Sequence, residues 1–107
     1  MENKNKNDNI QEMQILEQNL HNILLQKQAF QMELSETTSA LKEIEKSDEI
    51  YRLIGELMLK TDKIKAKDDL LTKEKILSMR IKSIEKQEDA LSKRLEELRN
   101  KITNSAK

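Results

Sequence analysis

Ile50-Tyr51-Arg52-Leu53-Ile54-Gly55-Glu56-Leu57-Met58-Leu59-Lys60-Thr61 is the stretch on which the fold turns. β-Branched, aromatic and large apolar residues dominate it, as they do in strands, and Gly55-Glu56 suits a two-residue type II′ turn with glycine first. That turn pairs Ile54 with Leu57, Leu53 with Met58 and Tyr51 with Lys60. Alternation then puts Ile50, Ile54, Leu57 and Leu59 on one face and Tyr51, Leu53 and Met58 on the other. Gly55 is the only glycine among 107 residues, and proline is absent. A two-stranded hairpin is marginal by itself. This one is apolar on both faces and has two unpaired edges, so other chains must cover it. The simplest cover is a closed or nearly closed β-barrel made of several such hairpins.

Outward from the hairpin, both arms carry a heptad pattern. On the N-terminal side, alternating steps of three and four reach Met13, Leu16, Leu20, Ile23, Lys27, Phe30, Leu34, Thr37, Leu41 and Ile44. On the C-terminal side they reach Leu70, Glu74, Leu77, Ile81, Ile84, Glu88, Leu91, Leu95, Leu98 and Ile102. A 3.5-residue period held this long marks a coiled-coil seam. Asn9 with Glu12 three residues on reads as a capping box, which starts helix 1 at residue 9 and leaves 1–8 as a disordered tail. The predicted layout is helix over 9–46, hairpin over 50–61 and helix over 62–102, with Asp62 as N-cap and 103–107 frayed. The fold class is mainly α: a long antiparallel coiled-coil helical hairpin, one domain over 9–102, with the β-hairpin at its bend.

The hairpin pairs share one sum of residue numbers, 111, and the same sum sets a register for the arms. It puts Leu41 opposite Leu70, Leu34 opposite Leu77, Phe30 opposite Ile81, Leu20 opposite Leu91 and Met13 opposite Leu98. It also places Thr37 and Glu74 in one layer, and Lys27 and Glu88 in adjacent layers where they can form a diagonal ion pair. Polar seam residues of this kind fix register at some cost in stability. Asp69 with Lys73, Asp89 with Lys93 and Glu97 with Lys101 are expected as i,i+4 pairs.

Charge limits the function. The net formal charge is zero, with 37% charged residues. The two arms differ in sign: residues 1–47 hold five basic and eight acidic side chains, and residues 62–107 hold thirteen and nine. That asymmetry favours pairing of the arms with each other, and gives no basis for binding nucleic acid or a membrane. No cysteine is present, which removes disulfides and thiol chemistry and suits a cytosolic protein. The polar start, Met1 to Asp8, is not expected to act as a signal peptide, and no apolar run is long enough to be expected to span a membrane. His21 is the only histidine and has no second ligand at helical spacing, so no metal or cofactor is expected. The carboxylates sit on solvated helix faces without a cleft, so the chain is not expected to be an enzyme. Lys63-Ile64-Lys65-Ala66-Lys67 reads as a solvated helix start, since no aromatic accompanies it. In this layout the termini meet at the far tip of the coil. Ile10, Met13, Leu16, Leu98 and Ile102 lie there near frayed ends, and are the candidate contacts for a flexible apolar client.

The hairpin stretch and the later run Arg80-Ile81-Lys82-Ser83-Ile84-Glu85-Lys86-Gln87-Glu88-Asp89-Ala90-Leu91, continued by Leu95-Glu96-Glu97-Leu98, resemble the β-class subunit of prefoldin, archaeal type. The resemblance covers roughly residues 9–102, and the hairpin is its specific part; the α class has two hairpins and a longer chain. Many relatives carry prolines before the first helix, and this chain has none. The resemblance implies a cytoplasmic hexamer of two α-class and four β-class subunits, a chaperone whose hairpins form a double β-barrel body. Its coil tips would bind unfolded proteins without ATP and pass them to a group II chaperonin. Ile10, Met13, Leu16, Leu98 and Ile102 would then face clients. Tyr51, Leu53, Ile54, Gly55, Leu57, Met58 and Leu59 would form the oligomer interface. The alternative is a structural coiled coil that oligomerises or tethers partners without binding clients; such a spacer has no need of a hairpin apolar on both faces.

Overall fold

The computed structural model describes residues 2–105, with side chains described for 6–104. The order is α1 (Glu2–Lys46), β1 (Ile50–Ile54), β2 (Leu57–Thr61) and α2 (Lys63–Ser105). Two long helices thus flank one antiparallel hairpin, as the mainly α fold class requires.

The hairpin register is Ile50 with Thr61, Tyr51 with Lys60, Arg52 with Leu59, Leu53 with Met58 and Ile54 with Leu57. These include every pair expected from the turn. Gly55 has φ of +58°, and no other described residue has a positive φ. A positive angle at the first turn residue alone is the type II′ pattern; type I′ would need it at Glu56 too. A Cβ at Gly55 would meet nothing within 4 Å. The glycine is therefore required by backbone conformation and not by space. Gly55→Ala is expected to lower stability by about 1–2 kcal/mol, the cost of a left-handed L-residue. Thermal unfolding at fixed protein concentration checks this, and an unchanged midpoint would remove the turn's role in holding the bend.

Both helices run longer than the sequence pattern suggests. α1 begins at Glu2, so Asn9 lies inside it and does not cap it, and residues 2–8 are helical where a disordered tail was expected. Glu2–Asp8 contains no glycine or proline, the two residues that stop a helix most strongly. α2 continues to Ser105, past the expected end at 102. The rest of the predicted tail and frayed end, Met1 and residues 106–107, lies outside the described residues. At the bend, Ser47 closes α1: its N–H donates to the Ile44 carbonyl at 3.2 Å and its hydroxyl to the Glu43 carbonyl at 2.9 Å. Asp62 stands just before α2, its carbonyl accepting the Ala66 N–H at 2.9 Å.

The chain divides into two compact units, residues 29–81 and residues 1–28 with 82–107. In the first, Ile44, Ala66, Leu77 and Ile81 form the buried core with Thr37, and Leu34, Leu41 and Leu70 are half-buried around them. In the second, Ile84, Leu95 and Leu98 are buried, flanked by half-buried Met13, Leu16, Leu20, Ile23 and Leu91. All twenty seam positions read from the heptads are buried or half-buried.

Cross-helix pairs fix the antiparallel register within each unit. In residues 29–81, Lys73 reaches Glu33 at 3.2 Å, Lys67 pairs with Glu45, and the Arg80 guanidinium sits 5.8 Å from the centre of the Phe30 ring. In the other unit, Arg94 pairs with Glu12 and Lys27 with Glu88, the latter at 3.3 Å as the diagonal pair expected. Among the described residues, four inter-helix ion pairs put the acid on α1 and the base on α2, and Lys27–Glu88 reverses the order. The charge asymmetry of the arms is thus realised as pairing between them. One layer differs in detail. Thr37 is buried, but its hydroxyl donates to the Glu33 carbonyl at 2.8 Å, and Glu74 instead accepts from Thr38 at 3.3 Å. A threonine hydroxyl on a helix has a carbonyl four residues back within reach, so Thr37 is satisfied without crossing the seam.

Candidate functional site

The hairpin is the first candidate surface. Tyr51 through Lys60 are all exposed. Leu53, Leu57 and Met58 are 68%, 65% and 69% exposed, and Tyr51, Ile54 and Leu59 are at least half so. These residues come from both faces of the two strands, so apolar area is open above and below the sheet. The sheet has only two strands, and each has one edge unpaired. An antiparallel pair alternates hydrogen-bonded and non-bonded positions, and the turn makes Ile54 and Leu57 a bonded pair. The main-chain N–H groups of Tyr51, Leu53, Met58 and Lys60 therefore point outward from the edges. Exposed apolar faces and open edges together leave this surface open to strand addition.

The root of the hairpin is held in place. Arg52 reaches Asp69 on α2 at 2.9 Å, and the Tyr51 hydroxyl donates to Glu49 at 3.2 Å. Asp69 and Lys73 were expected to pair with each other, but each takes a partner on another element, Arg52 and Glu33. Of the three expected i,i+4 pairs, Asp89–Lys93 forms, at 3.3 Å on the surface. Glu45 is held below its usual carboxylate range by its hydrogen bond and charge interaction with Lys67. Its folded value is the lower one, so the pair contributes above the ordinary carboxylate range and is lost as pH falls through the depressed value.

The second candidate surface lies in the unit of residues 1–28 and 82–107, where the five expected client contacts fall. Leu98 is fully buried, at 0% exposure. Ile10, Met13, Leu16 and Ile102 are half-buried. Leu98 therefore serves the seam as it stands, and is not open to a client. One turn earlier on α2, Arg94 reaches α1: its Nε and Nη2 donate to the two carboxylate oxygens of Glu12 at 3.1 and 3.3 Å, and its Nη1 donates to Glu97 at 3.3 Å. A two-pronged fork of this kind is more directional than a single ion pair. Its hydrogen bonds to Glu12, then to Glu97, raise the Arg94 pKa further above its already high range. Ile15, Leu24 and Leu25 are exposed apolar side chains of this unit, at positions that a reading of the seam alone passes over. His21 is exposed.

No helix among the described residues is long and apolar enough to cross a membrane. The family model for prefoldin subunits matches residues 7–107. The prefoldin subunit beta of Thermococcus onnurineus is 44% identical over 89 residues, covering 80% of this chain and 77% of that protein. That of Thermococcus gammatolerans is 42% identical over 80 residues, covering 72% and 68%. Among solved structures, the crystal structure of the prefoldin beta subunit from Thermococcus strain KS-1 matches with a TM-score of 0.86 at 33% identity, covering 94% of this chain and 91% of that one. With its single type II′ hairpin between two seam-forming helices, the chain belongs to the prefoldin subunit family of chaperones, in the β class of these archaeal relatives.

Proposed function

We propose that this chain is an ATP-independent holdase subunit. It assembles in the cytoplasm through its hairpin with α-class subunits and other β-class copies, two α to four β, the hairpins forming a β-barrel body. The coil ends capture non-native proteins and pass them to a group II chaperonin. One observation carries this reading: the hairpin leaves large apolar side chains exposed on both faces and both strand edges unpaired. A tethering coiled coil has no use for such a segment. Around the coil ends, Ile10, Met13, Leu16 and Ile102 are partly open, and Leu98 would join them only if the helices parted around it.

The burial of Leu98 and the Arg94–Glu12 fork between the helices also favour a second reading, in which the coil is a closed spacer that never holds a client. Aggregation of a denatured enzyme, followed by light scattering with the chain and an α-class subunit present, separates the two. A holdase suppresses scattering at near-stoichiometric amounts without nucleotide and weakens when residues through Leu16 are trimmed. A spacer leaves the scattering curve unchanged, with or without the trimming.

A further inference from the structure

Gln18-Asn19-Leu20-His21-Asn22-Ile23-Leu24-Leu25-Gln26 holds no aspartate, glutamate, lysine or arginine, the longest such run in a chain with 37% charged residues. It lies in α1, within the unit of residues 1–28 and 82–107. Leu20 and Ile23 serve the seam and are half-buried, and the other seven are exposed, Leu25 to 52% and Leu24 to 43%. The next residue, Lys27, is charged but engaged by Glu88. Beside Leu24 runs an open groove of about 410 Å³ lined by Leu20, His21, Ser92 and Leu95. Its charged members already have partners in the chain: Glu88 pairs with Lys27, and Arg99 with Glu17 at 3.8 Å.

A solvated outer face of a coiled coil is ordinarily studded with charges, as the remainder of this chain is. Here two leucines stand among primary amides instead. Each amide both donates and accepts, so it can answer the free N–H and C=O groups of an unfolded backbone whatever its sequence. A face without charge repels neither acidic nor basic segments, and so discriminates little between them. We propose that this charge-free flank of α1 is a docking surface for an extended non-native polypeptide segment of either charge sign. The proposal rests on the holdase reading and adds a contact along the side of the helix to those at its end. Two exposed leucines fall far short of the roughly 1,200 Å² or more that a stable subunit interface buries, which argues against a second copy as the occupant. A weak contact repeated on several subunits suits multivalent holding.

The test uses the particle assembled with an α-class subunit and two denatured enzymes, one acidic and one basic, followed by light scattering. Leu24→Lys with Leu25→Lys is the variant, and Ser39→Lys with Ser83→Lys is the charge-matched control; all four positions are exposed. Helical content and native mass are measured for each. The proposal expects the leucine variant to need several-fold more particle for half-suppression of both enzymes, with mass unchanged and the control within twofold of the parent. If the parent suppresses aggregation and the leucine variant does so equally well, the flank is not a client surface and the holdase reading stands. A loss confined to the basic enzyme reflects repulsion by the new lysines and overturns the proposal. A change in native mass makes another subunit the occupant and overturns it as well. If the parent itself suppresses nothing, the holdase reading fails first.

Discussion

Leu53→Asp combined with Met58→Asp is expected to break the assembled particle into separate chains while leaving most of the helical signal in place. Leu53 and Met58 face each other across the hairpin and are 68% and 69% exposed in the single chain. Neither belongs to the helical cores, so their loss should cost the isolated chain little. In an assembly they would be desolvated, and an unpaired carboxylate buried there costs several kcal/mol per subunit. Two per hairpin, repeated over several subunits, outweighs what a standard interface supplies. Like charges directly opposite one another also weaken the strand pair. Native mass spectrometry reads the outcome. A double variant that keeps the parent's mass would mean that this face of the hairpin remains in water, and that assembly, if any, occurs elsewhere.

Leu77→Ala is expected to be the most damaging single truncation in the helices of residues 29–81. Leu77 is 2% exposed, in the layer set opposite Leu34. Removing its branched end leaves a cavity between helices that can only partly close, at about 2–5 kcal/mol. For a chain of this length, that lowers the unfolding midpoint by about 10 °C or more. Leu71→Ala is the fitting comparison, because Leu71 is 44% exposed on the same helix and leaves no enclosed cavity. Both variants must be compared at one protein concentration, since subunit association adds to apparent stability. Equal midpoints for the two would contradict the seam assignment.

Much of this architecture is legible in the residues. The hairpin register follows from one glycine, because a two-residue turn with glycine first leaves a single way to pair the strands. The twenty positions marked by the 3.5-residue period are all buried or half-buried, though the period passes over buried Ala66, read as part of a solvated helix start, and the constant sum of paired numbers foretells the Lys27–Glu88 pair. What escapes the sequence depends on choices among close neighbours. Glu74 selects Thr38 over Thr37 because Thr37 has a carbonyl of its own helix at hand. Asp69 selects Arg52 over Lys73 because the hairpin brings a guanidinium to it, which no helical spacing reveals. The start of α1 is missed because a capping pattern in a sequence is equally compatible with a helix that simply continues. Leu98 was expected to be open near a frayed end, yet it is fully buried, and α2 continues past it to Ser105. The charge-free run of α1 is written in the sequence, but seam periodicity and charge totals pass over it, and its meaning depends on Lys27, Glu88, Glu17 and Arg99 being already paired.

Neighbouring molecules are expected to cover the faces and edges of the hairpin. Hydrogen exchange at the main-chain amides of Leu53 and Met58 tests it most directly, since the alternation of the antiparallel pair turns both outward from the two-stranded sheet. In the separate chain they should exchange at close to the rate of open backbone. On assembly with an α-class subunit both should slow by orders of magnitude, because they gain strand partners and lose contact with water. Amides that exchange equally fast in the assembled particle would show that the edges stay open, and the account of how this chain associates would fall with them.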